Sequence, residues 1–551
     1  MANIITSGMS PLLDASSLSI PELMSHYNPD GVESEKIVHT DDFSNNPITY
    51  GGLRSHSASA AWGLRHQLGL QEGDVLLALV PNSNDFVYLA HATWWAGGVF
   101  TPLNFSSTTK DIQHVLQLVR PAYIVTTDAK LASVEAALSQ CSIQKPKIVT
   151  VLSRVEGLLW FPNDFTSDNS SQTLPPYTLR GKHARNVTST ICFSSGTTGK
   201  MKGVQLSHYN IIMNILQIRA ALPGHINGGV REAWFPPYCH IYGLGTVVLT
   251  GMWVGAQFHG MVAFDMDKFY RKAVELNVTN MHLVPPVALA LASMESHGSE
   301  IPALRQIVVA AAPLKKPLQM QLNEKFPNAA ICQGYGLSEC SPTVMHQHDN
   351  RDASVGSVGK VVPGTEVRLV DPVTGKDVSV GEEGELWVRG PQVMMGYFND
   401  EAATKGTFVG EWLRTGDIMK MDEHQNFWVT DRMKEMIKYK GFQVAPSELE
   451  DLLLQHPQVI DAAVCATYDD AQATEVPLAY VSLLPEKACL PAWDKEKILK
   501  GVRDWVDGQV AGYKKLRGGV FHLQTLPKSP TGKILRRELP KMRANKRGSG
   551  L

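Results

Sequence analysis

Short apolar runs alternate with longer segments of helical spacing along most of the chain, and that rhythm sets the expected fold. An Ala-rich helix from Leu53 to Leu68 leads to Gly73-Asp74, an apolar strand Val75 to Val80 and a Pro81-Asn82 turn. Helix Asp85 to Ala96, strand Val99 to Leu103, helix Lys110 to Leu118 and strand Ala122 to Thr126 follow. Strands alternating with helices of this length predict parallel α/β layers, with ordered structure starting near Ile48-Thr49-Tyr50. The stretch from Ser153 to Lys182, rich in Asp, Asn, Ser, Thr and Pro, reads as a long surface connection. The α/β rhythm then resumes with strands at Met281 to Val284, Gln306 to Ala310 and Ala329 to Gln333. Beyond Arg351 the period shortens to two. Glu366 to Val370, Glu385 to Arg389 and Asn426 to Thr430 predict a smaller antiparallel sheet. After Asp431-Arg432-Met433-Lys434, helix Ser447 to His456, strands Val459 to Ala466 and Leu478 to Leu484, and helix Asp494 to Val510 predict a compact α+β module. The expected organisation is an α/β protein with a large domain over residues 1–430 and a small one over 431–551.

Composition narrows the function classes. A chain of 551 residues, 44% hydrophobic and 19% charged, is an ordinary globular protein too long for one small core. Its formal net charge of -2 gives no field that would gather nucleic acid or an acidic membrane surface. Seven scattered cysteines with no Cys-x-x-Cys pair argue against a disulfide framework or a structural zinc site and fit a reducing compartment. Met1 to Ser10 lacks the pattern of a secretory signal, and the apolar tract near Gly245 to Ala256 is too short to span a bilayer. Ser549-Gly550-Leu551 is similar to the peroxisomal Ser-Lys-Leu address but carries glycine in place of the basic residue, so a cytoplasmic or peroxisomal location is expected. The basic tail Arg536 to Arg547 reads as a solvated helix.

The chemistry centres on Ser194-Ser195-Gly196-Thr197-Thr198-Gly199-Lys200-Met201-Lys202-Gly203-Val204. It follows the apolar run Val187 to Phe193 and precedes a segment with Ile211, Ile215, Ile218 and Leu222 at helical spacing, so it reads as a strand-to-helix loop. Glycines let successive N–H groups converge on one anion, while hydroxyls and lysines add donors and charge, and the expected ligand is a polyphosphate. A Walker loop is excluded because only two residues separate Gly196 from Gly199 and Met201 follows Lys200. A dinucleotide fingerprint fails at Gly334-Tyr335-Gly336, where Glu339 stands at the third glycine position.

The Ser-Ser-Gly-Thr-Thr-Gly-x-x-Lys-Gly-Val run resembles the phosphate loop of the adenylate-forming superfamily, and most of all that of the 4-coumarate–CoA ligase-like acyl-CoA ligases. Further motifs follow in order from about Tyr50 to Leu539. The resemblance implies that Ser194 to Gly199 and Lys202 hold the ATP phosphates. In Gln333-Gly334-Tyr335-Gly336-Leu337-Ser338-Glu339 it makes Glu339 the magnesium ligand and puts Ser338 against the adenylate. Ala311-Ala312-Pro313 is similar to the adenine-binding turn, with Val309 and Ala310 where relatives have Ser-Gly. Asp417 and Arg432 match the residues that reach the ribose. Phe235-Pro236-Pro237-Tyr238-Cys239-His240-Ile241-Tyr242-Gly243-Leu244 resembles the acid-pocket motif, implying His240 beside the reacting carboxylate and Tyr242, Thr246, Gln333 and Gly334 along the tunnel. Leu526 to Arg537 resembles the last motif, whose lysine, here Lys533, bridges carboxylate and α-phosphate, with Gln443 near the nucleotide. Lys438-Tyr439-Lys440-Gly441-Phe442 resembles the strand that lines the CoA channel after the small domain rotates, which implies that Lys438, Lys440 and Gly441 border that channel and that Lys434 is at the hinge. The basic residue that contacts CoA in several relatives falls at Ala263.

The implied activity is ATP- and magnesium-dependent conversion of a largely apolar monocarboxylic acid to acyl-AMP and then to its CoA thioester. Two other outcomes share the first half-reaction, transfer to a carrier-protein phosphopantetheine and a luciferase-like oxidation; a non-catalytic binding protein is the remaining alternative. The acid and the oligomeric state are not encoded in any motif.

Overall fold

The computed structural model describes residues 3–9, 12–166, 172–195, 201–294, 300–310, 314, 316–347, 355–432, 435–439, 442–469, 472, 474–510, 512–528 and 534–540. One sheet runs in the order Gly396–Tyr397, Met201–Ser207, Thr188–Ser195, Val99–Pro102, Val75–Leu79, Tyr123–Thr126, Lys147–Val151 and Leu159–Phe161. From Thr188–Ser195 onward its neighbours are parallel, joined by helices such as Asn84–Trp95 and Thr109–Val119. These strands are buried on both faces, which is why they read as near-continuous Val, Leu and Ile rather than as alternation. A second sheet places Asn280–Leu283, Gln306–Val309 and Ala330–Gly336 in parallel, then turns antiparallel through Thr343–His346 and Lys360–Val361.

The period-two segments form an antiparallel sheet of Ile5–Thr6, Glu366–Val370, Gly384–Arg389, Trp412–Met421, Phe408–Val409 and Phe427–Arg432. Toward the C-terminus, Val459–Asp469, Thr474–Leu483 and Gly519–His522 make a sheet packed against Pro446–Leu453 and Ala492–Asp507. Their shared core of Ile437, Val444, Leu449, Val464, Val481 and Val502 is drawn entirely from that part of the chain. The mixed α/β class is therefore observed, with parallel sheets and a smaller antiparallel one.

Five expectations need correction. The phosphate loop does not connect a strand to a helix. Thr188–Ser195 and Met201–Ser207 pair antiparallel, with Lys202 opposite Ser194, so the loop joins the arms of a hairpin, and the helix His208–Ala221 starts only after the return strand. That helix is buried on most of its circumference rather than on one stripe, because Asn210, Asn214 and Gln217 find interior partners. Order begins well before Ile48, with helix Ile20–His26 and strand Ile37–Asp41 inserted into a third sheet beside Gln257–Gly260. The connection from Ser153 to Lys182 is anchored by buried Phe161, Phe165, Tyr177 and Leu179. Finally, Arg536 is not solvated: it pairs with Glu435 and, at 2.7 Å, with Glu450, while 541–551 lie outside the described residues.

Candidate active site

The first cluster forms where the hairpin meets the Gly336–Glu339 turn. Glu339 Oε1 accepts from Ser194 Oγ at 3.1 Å and from the Tyr397 hydroxyl at 2.9 Å. Tyr397 lies in a short strand paired with the hairpin's return arm, Val204 opposite Tyr397, and Lys202 Nζ stands 4.4 Å from the centroid of its ring. Burial, and then the charge of Glu339, push the Tyr397 phenol well above its ordinary value, so it remains a donor. Both donors use the same carboxylate oxygen, and Oε2 has no partner among the described residues. Such a single hard oxygen suits a magnesium ion that takes its other ligands from water and phosphate. Among the described residues no group of three or more His, Cys, Asp or Glu is placed to hold a metal ion, so a magnesium here would depend on Glu339 and on its substrate.

The turn's shape is dictated by Gly336, where a Cβ would fall 2.4 Å from the Pro342 carbonyl oxygen. Ser338 begins a short 3-10 turn and is nearly buried. Upstream, Gln333 is fixed in the parallel strand: its Oε1 accepts from the Leu314 N–H at 2.7 Å and its own N–H donates to Gln347 Oε1 at 2.8 Å. This ties the strand to the segment after Pro313.

The second cluster lies in the antiparallel sheet. Asp417 and Arg432, expected to share a ribose, are register partners on the Trp412–Met421 and Phe427–Arg432 strands. Asp417 Oδ2 accepts from the Tyr335 hydroxyl at 2.6 Å, which links this pair to the Gln333–Glu339 motif.

The third cluster is the acid loop. His240 caps the short helix Ile241–Gly243, its Nδ1 accepting from the Tyr242 N–H at 3.2 Å, and its ring is exposed. Gly243 is required by close approach, since a Cβ would meet the Pro237 carbonyl oxygen at 2.5 Å. Asn82 holds the loop from outside: its Nδ2 donates to the carbonyls of Pro236 and Met261, and its Oδ1 accepts from the Tyr238 N–H at 2.8 Å.

A cavity of about 2450 Å³ joins the second and third clusters, with His240, Tyr242, Thr246, Gln333, Gly334 and Asp417 all on its wall. It also reaches Ser447, Lys528 and Arg536 of the C-terminal part. Its wall ends at Gly336 and Leu337, so Ser194, Lys202 and Glu339 stand just beyond it. Lys438 and Gln443 are register partners across the Ile437–Tyr439 and Phe442–Val444 hairpin. Gly196 to Gly199, Ala311, Lys434, Lys440, Gly441 and Lys533 lie outside the described residues, and of Ser195, Arg432, Lys438 and Gln443 only the backbone is described.

Sequence reasoning missed Tyr397 and Asn82. Tyr397 and Asn82 act through partners far along the chain, so no local pattern marks them. Tyr335 was visible inside a motif, but not as the donor to Asp417.

Comparison with known proteins places this chain in a family. The model of the AMP-binding enzyme matches residues 31–398, and that of the AMP-binding enzyme C-terminal domain matches 448–533. The 4-coumarate:CoA ligase 1 of Petunia hybrida is 35% identical over 516 residues, covering 90% of this chain and 89% of that one. Among solved structures, ATP-bound MatB from Rhodopseudomonas palustris superposes with a TM-score of 0.82 at 23% identity, over 97% of this chain and 100% of its own. A benzoate CoA ligase from Burkholderia xenovorans LB400 gives 0.81 at 23%, over 95% and 100%. The chain belongs to the AMP-binding family of adenylate-forming enzymes, among its AMP-forming acid–CoA ligases.

Proposed function

We propose that the protein activates a monocarboxylic acid in two half-reactions. ATP and the acid give acyl-AMP and pyrophosphate, and CoA then displaces AMP to give the thioester. The observation that carries this reading is the convergence of the hairpin's Ser194 and the sheet's Tyr397 on one oxygen of Glu339, beside a cavity that holds both His240 and Asp417 on its wall. In this reading Ser194 to Gly199 and Lys202 bind the triphosphate, Asp417 and Arg432 the ribose, and the Ala311 turn the adenine. Glu339 holds magnesium, which neutralises phosphate charge when bound. His240 borders the carboxylate, whose attack on the α-phosphate builds negative charge that Lys533 offsets, with Gln443 alongside. Residues 431–551 then act as a mobile domain turning at Lys434, bringing Lys438, Lys440 and Gly441 to the CoA path. The curated relative named for 4-coumarate and the solved neighbour named for benzoate support an aryl or comparably apolar acyl group.

Pyrophosphate exchange across a panel of acids tests the first half-reaction; absence of exchange with every acid refutes the reading. Lys533→Ala is expected to abolish exchange while still converting supplied acyl-AMP to thioester, and equal loss of both steps would contradict the division between faces. Free CoA should serve as acceptor at least as well as a phosphopantetheinylated carrier.

A further inference from the structure

Pro81 and Asn82 stand on the cavity wall just past the C-terminal end of the parallel strand Val75–Leu79, the end at which open α/β sheets bind ligands. Asn82 is buried, and its side chain is engaged by protein backbone on every side. Nδ2 donates to the Pro236 carbonyl at 3.0 Å and to the Met261 carbonyl at 3.1 Å, with the Phe235 carbonyl further off at 3.4 Å. Oδ1 accepts from the Tyr238 N–H at 2.8 Å. An amide with both hydrogens and its oxygen engaged in this way recognises a chain path rather than a ligand. Two segments of the wall therefore hang on one side chain: the acid loop, and the stretch after Met261, whose Val262, Ala263 and Phe264 also line the cavity.

Asn84, two residues on, completes a bracket. Its Nδ2 donates to the Asn46 carbonyl at 2.7 Å, which turns Oδ1 toward His39 Nδ1 at 2.6 Å. That oxygen only accepts, so Nδ1 carries the neutral ring's proton and Nε2 is left to accept from the Tyr238 hydroxyl at 2.7 Å. Tyr238 is fully buried and fixed at both ends, its N–H by Asn82 and its hydroxyl by the Asn84–His39 pair. His240 follows two residues later. Its N–H donates to the Pro237 carbonyl at 3.2 Å and its Nδ1 accepts from the Tyr242 N–H at 3.2 Å, so the ring's position follows the backbone of the loop. The loop has no slack to absorb a shift, because the Pro237 carbonyl oxygen would stand 2.5 Å from a Cβ at Gly243.

We propose that Asn82 is a positioning residue of the acid-activating reaction: it sets the Pro236–Tyr238 backbone and, through it, the place of His240 beside the reacting carboxylate. The Asn84–His39–Tyr238 chain supports the same loop and makes the Asn82–Asn84 turn a single bracket. The groups assigned to the nucleotide are held by other partners, Asp417 by Tyr335, and Glu339 by Ser194 and Tyr397. Loss of Asn82 is therefore felt by the acid and not by ATP. The inference rests on the acid-activating reading above and adds to it a residue that acts on neither substrate directly.

The test is pyrophosphate exchange by the full chain, with the acid that reacts best in the panel, on the wild type, Asn82→Ala, His240→Ala and the double variant. Asn82→Ala should lower kcat/KM for the acid by about tenfold to a hundredfold, the cost of a misplacement on the order of 1 Å, with KM for ATP within about twofold of wild type. Added to His240→Ala, the same substitution should cost only about threefold or less, because the group it places is already gone. Asn82→Asp keeps the shape and the acceptor for the Tyr238 N–H while losing the paired donors, and serves if Asn82→Ala does not fold. Where His240→Ala is too slow to read, the split between acid and ATP decides alone. Four results overturn the proposal: kcat/KM for the acid unchanged in a folded variant, KM for ATP rising in step with the loss on the acid, equal losses with and without His240, or neither Asn82 variant folding, which would make Asn82 a residue of the core alone. Absence of exchange with every acid in the wild type instead removes the acid-activating reading itself, and this inference with it.

Discussion

Glu339 is the residue on which the site's electrostatics turn. Its Oε1 takes two hydroxyl donors, which fix the carboxylate's plane and leave Oε2 without a partner among the described residues. Bonds to a charged acceptor are the stronger ones, worth about 1.5–3 kcal/mol. Tyr397→Phe removes one without changing shape, and is expected to lower kcat/KM for MgATP by about tenfold, within the range for groups that orient a metal ligand. Glu339→Gln keeps an acceptor but loses the charge, and should lower it by about a hundredfold or more, with partial recovery as magnesium is raised. A titration of exchange rate against magnesium separates the two: a Glu339→Gln protein with unchanged magnesium dependence would remove Glu339 from the metal. Tyr335→Phe acts on the second cluster, at Asp417. Without this 2.6 Å bond Asp417 is held less firmly, and KM for ATP should rise about threefold or more with little change in kcat.

At the scale of elements, close backbone approach decides which turns are possible. A Cβ at Gly336 would sit 2.4 Å from the Pro342 oxygen, a backbone atom that cannot swing aside as a side chain would. Gly336→Ala should therefore destabilise the protein by about 1–3 kcal/mol, the usual cost of overpacking, and displace Glu339; a urea midpoint unchanged from wild type would show that the turn can relax. The same physics explains what the chain's pattern revealed. Strands such as Val75–Leu79 and Glu366–Val370 were legible because their burial on two faces or one is written in consecutive residues. The hairpin's return arm was not, because Met201–Ser207 holds Lys202 and Gly203 at its start and runs directly into a capped helix at Ser207. Strand Ile37–Asp41 lies ahead of the expected start of order, and its polar His39 and Asp41 are held inside by partners at Asn84. Arg536 looked solvated because its partners Glu435 and Glu450 lie far back in the chain. Of the candidate site, the motif-borne residues could be named as candidates from the chain, whereas Tyr397 and Asn82, which bond to them or their loop across the fold, could not.

The whole molecule carries a pH dependence set by histidines buried in the large core. His39 is fully buried, its Nδ1 2.6 Å from Asn84 Oδ1 and its Nε2 2.7 Å from the Tyr238 hydroxyl, an arrangement that a neutral ring satisfies. Burial lowers it to about 4, and likewise lowers His91 to about 4 and His208 to about 3. For each, the unfolded chain, near 6.5, binds the proton more readily, so its stabilising contribution is complete above about pH 6.5 and is lost as pH falls toward 4. Asp85 runs the other way. Burial raises it to about 7, so its contribution is complete below about pH 4 and is lost as pH rises through 7. Three groups against one predict a net loss of stability on acidification from pH 6.5 to 5. His91→Gln, whose amide can still donate to the Val248 carbonyl, should flatten that slope by about one proton, roughly 1.4 kcal/mol per pH unit. Asp85→Asn removes the opposing group and should steepen it, because the folded protein no longer gains from taking up that proton. Urea midpoints of the three proteins at a series of pH values decide the matter: a wild-type slope that neither substitution alters would mean that these side chains titrate alike in the folded and unfolded chain.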